Sequence, residues 1–466
     1  LDMLEPQMLE FLMATSMTER ISGDLASALA GVDDGQALLE EAEDRDLFLR
    51  RLDEDREWFR YHHLFAEFLQ RRLARRHPVR IAQLHAVASR WFAEHHLLRE
   101  AVDHAIAGGD EERATELAEL HGVELVNHSQ MSTLLALISA LPPHIAEVSP
   151  RLQLTLAWAN MLLQRPAAAL AALAAFGSAT EKRGLSAPEL RDMRTEVDVF
   201  RAVVECYGDH TAGVDELLAE CLSRPDSVTY WVVAAAANVA SFLSIYRFDF
   251  DAVRRWQRWA NPYHRQGSNP FSLMYGYCLL GIAAREELDV TEAERCFREA
   301  LRVANRAGDS HSHATRLACA LLGELLYERG EVDEADRLID ESYQLGAEGG
   351  TVEFMIARYV TGARIKAVRG DRSAAARRLD DAARVAATFG LYRLSAYVDN
   401  ERTRLELPGA PAGAHEEALP DGGLGEITAQ LRDETEIYRP RPGCNGCNIR
   451  GVQGRCCGPT DCWWPH

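Results

Sequence analysis

Hydrophobic residues follow a helical spacing through most of this chain, and from about residue 200 the pattern recurs with a period near 40 residues. Its small members are spaced by 39, 41, 42 and 40 positions: Gly213, Ala252, Ala293, Ala335 and Ala375. A large apolar residue follows each of them after one helical turn: Leu217, Trp256, Phe297, Ile339 and Leu379. A two-helix unit of this length buries its apolar stripe only against the next unit. The pattern predicts an α-solenoid of the tetratricopeptide (TPR) type.

Turn signals fall between the predicted helices with the same period. Glycine followed by an acidic residue occurs at Gly330-Glu331, at Gly370-Asp371 and, earlier, at Gly109-Asp110. Glycines also stand 15 positions after four of the small residues, where a helix end favours a residue that tolerates positive φ: Gly267, Gly308, Gly350 and Gly390. The period therefore reflects repeated structure and is not a product of composition.

The first 80 residues follow another pattern, which predicts three helices, a β-hairpin and a fourth helix. Pro6 suits a first helical turn, and two short aromatic and aliphatic runs, Leu47–Leu49 and Trp58–Tyr61, flank an acidic cluster at Asp53–Asp55. Helices followed by such a hairpin indicate a winged helix. Because the hairpin tip is acidic, we expect this domain to face protein or nucleotide and not DNA.

These patterns predict an all-α protein with five segments. Residues 1–80 form the winged-helix domain, residues 81–118 a helical connector, and residues 119–405 a TPR-like superhelix with an exposed concave side. Residues 406–438 form a linker rich in Pro, Gly and Ala with one short helix, and residues 439–466 form a Cys-rich tail that we expect to be disordered.

Charge and hydropathy limit the partners of the chain. The formal charge of −20 repels nucleic-acid phosphates, so we expect no direct nucleic-acid contact. The most apolar stretch, Trp231–Tyr246, is interrupted by Asn238 and two serines and is too short to span a membrane. No signal peptide opens the sequence, which indicates a soluble, cytoplasmic protein, and Leu1 indicates that the chain begins inside a longer gene product.

The ten cysteines form two groups. Five lie in apolar helical pattern, where a reduced cysteine packs as a small hydrophobe: Cys206, Cys221, Cys278, Cys296 and Cys319. The other five lie between Cys444 and Cys462, with a spacing too irregular for two zinc knuckles. Zinc binding, a disulfide cluster and a disordered or frame-shifted terminus stay open for this tail, and we expect no metal site.

Motifs for catalysis are missing from the sequence. Neither lysine, Lys182 or Lys366, follows a glycine in a G-x-x-x-x-G-K-[ST] loop, so no Walker lysine is available to hold nucleotide phosphates. Dinucleotide loops, nucleophile elbows, zinc-protease pairs and kinase signatures are also missing. We therefore expect a non-enzymatic chain with no cofactor of its own.

Three stretches of the N-terminal region carry a family resemblance: Phe11–Gly31, Asp46–Phe65 and Trp58–Leu73. They resemble the middle of MalT-type regulators, which are large LuxR-family, STAND-class, ATP-dependent transcription activators of bacteria. The resemblance implies a winged helix followed by a superhelix that receives a small-molecule inducer or a protein effector. It also implies ATP or ADP at another domain of the parent protein, and self-association in the active state.

Two adjacent histidines open the helix that follows the hairpin. A histidine at a helix N-terminus lies beside unpaired backbone N–H groups and the positive end of the helix dipole, which suits an anionic phosphate. Residues 62–69 also match a form found in STAND proteins, H-x-L-x-x-D/E-F-L, whose histidine contacts the β-phosphate of ADP. The resemblance implies nucleotide sensing by His62 in the parent protein, with His63 in the place of the usual acid. Alternatively, both are only polar residues at a helix start.

Aromatic residues concentrate around one predicted inter-repeat region, from Trp256 to Tyr277 and including Phe271. Such rings can stack on a sugar or another flat effector, because they combine apolar faces with polar edges. Aromatic residues at helical spacing are also the usual content of a core. We therefore predict these effector-binding candidates, with core packing as the alternative: Trp256, Trp259, Tyr263, Tyr275 and Tyr277.

The sequence as a whole predicts the regulatory portion of an ATP-dependent MalT/LuxR-type transcription regulator, in which another domain of the parent protein reads DNA. Two alternatives belong to other classes. The same half occurs behind a serine/threonine kinase domain in some actinobacteria, where it would regulate a signalling enzyme. A free-standing solenoid would instead be a scaffold that binds only proteins.

Overall fold

The computed structural model describes residues 4–52, 58–266, 270–307, 312–346 and 350–407, which are almost entirely helical. An all-α protein with a winged helix and a TPR-like superhelix is confirmed. The predicted acidic hairpin tip, the predicted helix at 426–438, the Cys-rich tail and two periodic glycines, Gly267 and Gly308, lie outside the described residues. Within the described ranges, no helix combines the length and apolarity needed to cross a bilayer.

The winged-helix domain has the predicted order of elements. They are α1 (Pro6–Thr15), α2 (Gly23–Ala30), α3 (Gly35–Asp44), β1 (Leu49–Arg51), β2 (Phe59–Tyr61) and α4 (His63–Arg76). The strands pair antiparallel, and a bridge between Ile21 and Phe59 attaches the hairpin to the helices. Ser22 caps α2 by accepting a hydrogen bond from the Leu25 N–H, and Gly31 ends it at φ 68°. Because β2 ends two residues before α4 begins, the hairpin fixes where α4 starts.

Further helices follow the winged helix and then stack in pairs. The first five are α5 (Pro78–Glu94), α6 (Leu98–Ala107), α7 (Glu111–Asn127), α8 (Met131–Ala140) and α9 (Pro143–Ala146). The next eight are α10 (Pro150–Leu162), α11 (Pro166–Arg183), α12 (Ala187–Tyr207), α13 (Val214–Ser223), α14 (Tyr230–Tyr246), α15 (Phe250–Arg265), α16 (Pro270–Glu286) and α17 (Val290–Ala307). The last six are α18 (His313–Glu328), α19 (Val332–Tyr343), α20 (Val352–Met355), α21 (Gly362–Val368), α22 (Arg372–Phe389) and α23 (Tyr392–Arg404).

Two short irregular helices interrupt this series, a 3-10 turn at Pro225–Ser227 and a π-helix at Ile356–Thr361. Helices that follow one another in sequence pack as pairs, as α14 does with α15 and α16 with α17. The first helices of successive pairs, α12, α14, α16 and α18, also pack against one another. This is the stacking expected of a superhelix, in which each pair buries its apolar side against the next.

The predicted contact between small and large residues occurs in most of the repeats. Three of the predicted pairs are fully buried: Ala293 with Phe297, Ala335 with Ile339, and Ala375 with Leu379. Glycines on the preceding helices make room for the large members. A Cβ atom at Gly281 would overlap the ring of Phe297, and one at Gly323 would lie 2.8 Å from Cγ1 of Ile339. Helices α16 and α18 can therefore approach their partners closely at these points.

The first repeat is displaced by one residue from the predicted register. Gly213 adopts φ 75° and precedes α13, so it does not pack between helices. The buried small and large residues are Val214 and Leu218, whereas Leu217 is only partly buried. The prediction was wrong at this repeat because the glycine supplies a left-handed turn, a conformation that sequence spacing alone does not reveal.

A residue with positive φ closes the turn between the two helices of each repeat. Its φ lies between 57° and 85° at Asp209, Phe248, Leu288, Gly330 and Gly370. In three of these turns the next residue caps the following helix by accepting a backbone hydrogen bond: Asp249, Asp289 and Asp371. Three of these five turn residues are not glycine. Glycines in the sequence therefore mark fewer repeats than the structure contains.

Segments that are far apart in sequence contact each other within the superhelix. The Gln164 side chain donates a hydrogen bond of 3.0 Å to the Gly350 carbonyl, across 186 positions. Arg393 donates a hydrogen bond of 2.7 Å to Asp209, across 184 positions. These contacts join repeats that are far apart along the chain.

Candidate functional site

The two predicted nucleotide-sensing histidines lie side by side at the start of α4. His62 is the N-cap residue and His63 is the first helical residue, and their rings stack with centroids 4.5 Å apart. The His62 backbone N–H donates to the Phe48 carbonyl at 2.7 Å, which ties the start of α4 to the hairpin. Both side chains are exposed, so the pair is accessible to a ligand or to another domain.

An apolar surface borders the histidine pair. Phe48, Leu64 and Phe68 are large apolar side chains that remain exposed, and we call these three residues the apolar edge. They line one groove together with His62. A helix N-terminus beside two imidazoles suits a phosphate, and uncovered apolar side chains mark a contact surface. The arrangement therefore suits a docked domain that carries a bound phosphate group.

A second candidate site is a partly open cavity of about 90 Å³ between helices of the superhelix. Its wall is formed by α7, α10, α12, α14, α16 and α20. Ring-bearing side chains make up much of the wall: Trp158, Tyr207, Trp231, Phe242, Phe271, Tyr275 and Phe354. Trp158 lies edge-on to Trp231, with centroids 4.9 Å apart. The cavity therefore brings together residues from most of the superhelix.

Most polar side chains in the cavity wall already have partners. Asn238 donates from Nδ2 to the Ser272 carbonyl at 2.9 Å, and its Oδ1 accepts from Gln257 at 2.9 Å. The hydroxyl groups of Tyr207 and Tyr275 share a hydrogen bond of 2.8 Å. Burial raises the pKa of both phenols, so both stay neutral.

The two tryptophans of the wall differ in their partners. Trp158 donates from Nε1 to Glu196 Oε1 at 3.2 Å. Trp231 is 6% exposed, and its Nε1–H has no acceptor among the described residues. A buried N–H without an acceptor destabilises a fold by about 1–3 kcal/mol. Because Nε1 has almost no accessible surface, the ring of Trp231 and not its N–H faces the cavity.

The cavity offers no activated nucleophile. Cys206 lies in its wall, but burial raises the pKa of the thiol well above its usual value and keeps it protonated. Within the part of the chain that the structure describes, no group of three or more His, Cys, Asp and Glu side chains is arranged to hold a metal ion.

The five predicted effector-binding aromatics are not brought together. Trp256, Trp259 and Tyr263 contact one another along α15, with centroid distances of 5.7 and 5.1 Å, and none of them lines the cavity. Tyr277 lies on α16 but outside the cavity wall. Tyr275 is the member of the group that lines it. Contact with an effector stays a prediction for all five, and the geometry favours Tyr275.

Sequence reasoning missed the other aromatic residues of the wall, among them Trp158, Trp231 and Phe354. A signal existed at Trp231, because α14 is apolar on nearly all sides and carries alanines where larger residues would fill space. No comparable signal separated Trp158 or Phe354 from ordinary core residues.

A polar cluster joins early repeats to the last helix. Arg393 of α23 donates to Asp209 at 2.7 Å and to Glu353 at 2.6 Å, and Tyr246 contacts the same two carboxylates. We call these four residues the Arg393 cluster. Only 13% of the Asp209 side chain and 10% of the Glu353 side chain are exposed. The cluster therefore combines partly buried charges from three separate parts of the superhelix.

A winged helix followed by a TPR-like superhelix is the architecture of the regulatory portion of STAND-class signalling proteins. The family model of the MalT winged helix domain matches residues 1–81, and that of the MalT-like TPR region matches residues 195–416. The chain therefore contains a MalT-type winged helix followed by a MalT-like TPR region.

Curated relatives fall into two groups. The serine/threonine-protein kinases PknK of Mycobacterium tuberculosis and Mycobacterium bovis are 48% identical over 442 residues, which is 94% of this chain and 40% of the kinase. The HTH-type transcriptional regulator MalT of Yersinia enterocolitica is 30% identical over 239 residues, which is 51% of this chain and 26% of the regulator. The chain thus spans less than half the length of these relatives.

One solved structure shares the fold. It is a STAND protein with a tetratricopeptide repeat sensor from Pyrococcus horikoshii, with a TM-score of 0.52 over 94% of this chain and 64% of that chain. The sequence identity is 11%, so this similarity concerns the fold alone.

Proposed function

We propose that this chain is the effector-binding regulatory region of a serine/threonine protein kinase similar to PknK, with no catalytic step of its own. The observation that carries the proposal is continuous similarity to PknK over 94% of the chain. Similarity to MalT covers 51% of the chain at lower identity. The kinase is therefore favoured over the transcription regulator that the sequence first indicated, which is our second candidate.

The superhelix is the proposed sensor, and we assign it residues 119–405. Its cavity is walled by six helices, so a bound ligand would touch repeats that are far apart in sequence. A ligand that binds one packing arrangement of these helices better than another shifts the population toward that arrangement. This is how a small molecule or a protein effector would change the output of the parent protein.

The winged helix, residues 1–80, is the proposed contact with the nucleotide state. His62, His63 and the apolar edge support docking of a domain that holds ATP or ADP in the parent protein. ADP phosphate at the start of α4 would hold the two domains together, because the helix N-terminus attracts negative charge. Release of this contact would favour the active, self-associated form.

A segment exchange tests the proposal. In PknK of Mycobacterium tuberculosis, the segment similar to this chain is deleted or replaced by this chain, and autophosphorylation is measured. We expect deletion to raise basal activity, because the closed state is lost, and replacement to restore the low basal level. The same replacement in MalT of Yersinia enterocolitica, measured with a transcription reporter, is expected to give no regulated output.

Substitution of one histidine tests the role of the winged helix within the same experiment. In the replaced kinase, His62→Ala is expected to speed ADP release by about tenfold, through loss of one charge-assisted hydrogen bond, and to raise basal phosphorylation. His144→Ala is the control, because His144 is an exposed histidine on α9. A replacement that behaves like the deletion, together with a MalT replacement that regulates the reporter, would favour the transcription regulator instead.

A further inference from the structure

The cavity of the superhelix has a neutral and mainly apolar wall. None of its lining residues, all of which belong to the described part of the chain, is Asp, Glu, Lys, Arg or His. A charged ligand would lose its hydration there without gaining a counter-charge, and this loss opposes binding strongly. The wall therefore favours an uncharged ligand.

Several polar side chains of the wall bond to other protein groups. Asn238 bonds through both its amide nitrogen and its amide oxygen, and the hydroxyls of Tyr207 and Tyr275 bond to each other. The Thr351 hydroxyl donates to Glu353 Oε2 at 2.5 Å. Each sugar hydroxyl that enters without a partner forfeits its hydrogen bonds to water. A carbohydrate therefore fits this wall poorly.

Asn127 differs from these polar residues of the wall. It is the last residue of α7, it is 3% exposed, and it lines the cavity. Its side-chain amide makes no hydrogen bond to any described residue. Its oxygen and nitrogen both keep accessible surface, whereas Nε1 of Trp231 keeps almost none. Because buried amides are normally paired, an amide that opens into an apolar cavity indicates a polar partner that enters from outside.

The asparagine side chain offers an acceptor and a donor side by side. Oδ1 accepts and Nδ2 donates, and the two atoms lie in one plane. A ligand meets both atoms at once when its own N–H and C=O groups are adjacent, as in a primary carboxamide or a lactam. A ketone satisfies the Nδ2 donor alone, and a carboxylate brings a charge. An amide is neutral, so it also meets the requirement that the wall sets.

The volume of the cavity limits how much of a ligand enters. Its volume of about 90 Å³ is smaller than the roughly 150 Å³ of an engineered cavity that binds benzene. By proportion, the enclosed part of the ligand has about four non-hydrogen atoms. This is the size of a carboxamide group with its attached carbon. Since the cavity is partly open, the rest of the ligand can extend outward.

We propose that the cavity binds a neutral molecule through an amide group that pairs with the side chain of Asn127. The ligand carbonyl accepts from Nδ2, and the ligand N–H donates to Oδ1. This inference rests on the proposed function of the superhelix as a sensor and specifies the chemistry of its effector. Because the surroundings are apolar, the two hydrogen bonds discriminate between an amide and molecules of the same shape that lack one of its polar groups.

Three small molecules of matched shape test the recognised group. Propionamide, 2-butanone and propionate share an ethyl group on a carbonyl carbon and differ in one substituent, which is an amino group, a methyl group or an ionised oxygen. At neutral pH we expect the full chain to bind propionamide with a dissociation constant on the order of 1–10 mM, as suits so small a ligand. 2-Butanone should bind about tenfold more weakly, and propionate should not bind detectably.

Nuclear magnetic resonance identifies the bonded group. The chain carries isotope-labelled asparagine, and loss of one pair of side-chain amide signals in Asn127→Leu assigns that pair to Asn127. Propionamide should move one of these two signals downfield, because an Nδ2 proton then bonds to the ligand carbonyl. 2-Butanone should produce a smaller shift at the same concentration, and propionate should leave the pair in place. Titration of the shift gives the dissociation constants.

Three variants locate the site. Asn127→Leu keeps a similar volume but removes both hydrogen-bonding atoms, so the preference for propionamide over 2-butanone should disappear. Ala235→Leu replaces a methyl group of the wall by an isobutyl group, which fills most of the cavity and should abolish binding of both. Asn160→Leu is the matched control and should change neither affinity. Asn160 is also buried, but it bonds to the Leu156 carbonyl and lies outside the cavity wall.

The outcomes separate this inference from the proposed function. Equal affinity for propionamide and 2-butanone in the parent chain overturns amide recognition, and this comparison needs no variant to fold. A preference that persists in Asn127→Leu overturns Asn127 as the partner, and tighter binding of propionate overturns the neutral class. Binding of no probe, or binding that survives in a folded Ala235→Leu variant, overturns the cavity as the site. Failure of the kinase segment exchange alongside intact propionamide binding removes the regulatory role but leaves the site.

Discussion

His264 lies near the end of α15 with 2% of its surface exposed, and neither ring nitrogen has a partner among the described residues. Burial lowers its pKa to about 4, below the roughly 6.5 of a free histidine. Between these two values the unfolded chain binds a proton that the folded chain excludes. Stability therefore falls as the pH drops through this window.

We predict that His264→Leu makes the protein less sensitive to acid. The substitution removes two buried ring nitrogens without a partner among the described residues and keeps a similar volume, so stability at pH 7.5 should rise by about 1–3 kcal/mol. The stability lost between pH 7.5 and pH 5 should shrink by roughly 2 kcal/mol. Urea-unfolding midpoints at the two pH values measure both quantities.

His104 supplies an internal reference for this comparison. Burial lowers its pKa to about 4 as well, and it keeps that property in the variant. Some loss of stability in acid should therefore persist. An acid response identical in the variant and the parent chain would show that His264 protonates as easily in the folded state as in the unfolded one.

Some residues of the candidate sites could be predicted from the sequence, and others could not. His62 and His63 were placed correctly at a helix start, because the hairpin and the amphipathic helix after it are local signals. Trp158 and Phe354 gave no signal of that kind, because inward-facing and core residues are both apolar at helical spacing. The curvature of the stacked helices decides which of these apolar residues border a cavity.

Among the elements, the turn between α16 and α17 holds a leucine in a conformation suited to glycine. Leu288 adopts φ 66° and leaves 84% of its surface exposed. Its side chain therefore contributes little packing, while its Cβ is strained by about 1–2 kcal/mol in the left-handed region. The same turn position is glycine at Gly330 and Gly370.

We predict that Leu288→Gly stabilises the protein. Relief of strain exceeds the added entropy of glycine in the unfolded chain, which leaves a gain of roughly 0.5–1 kcal/mol. Leu288→Ala is the matched control, because it removes the same side chain but retains the Cβ. Thermal or urea unfolding of the three proteins measures the difference. Equal gains from Gly and Ala would assign the effect to loss of the exposed side chain and not to backbone strain.

These turns also explain why the repeat could be predicted but its register could not be predicted everywhere. The period came from buried pairs such as Ala335 and Ile339, which depend on contacts between adjacent helices. At Gly213 a small residue marked a turn, and the true pair began one residue later. Composition does not separate a glycine that admits a neighbouring helix from one that reverses the chain.

For the whole molecule, the order of a winged helix and a superhelix follows from the sequence because it depends on local periodicities. Contact between distant repeats does not follow in the same way. The contact between Gln164 and Gly350 depends on the rotation between successive helix pairs, summed over several repeats. A small change in each rotation would separate the two residues, and no sequence pattern records an angle of that kind.

The Arg393 cluster gives a prediction at this scale. Arg393→Ala should destabilise the protein by about 2 kcal/mol, because two mostly buried carboxylates lose their partner; partial exposure of Arg393 keeps the loss below that of a fully buried pair. Arg247→Ala, which removes an exposed pair with Asp215, should cost less than about 1 kcal/mol. Urea unfolding compares the two variants.

Hydrogen exchange localises the effect of these substitutions. Amides of α23 and of the start of α20 should exchange faster in Arg393→Ala than in the parent chain, since both segments are held by the cluster. Arg247→Ala should leave them unchanged. Equal destabilisation by the two substitutions would mean that the Arg393 cluster stabilises the fold no more than an exposed ion pair does.

The hydrogen bond from Gln164 to Gly350 alters how this superhelix comes apart. In an open array each repeat touches only its neighbours, so either end can fray while the rest stays folded. Here a distant repeat holds part of the other end, so fraying must first break a contact between distant repeats. The repeats should therefore unfold together, as the elements of a compact domain do. A truncation that an open solenoid would tolerate would here remove contacts from helices far from the truncated end.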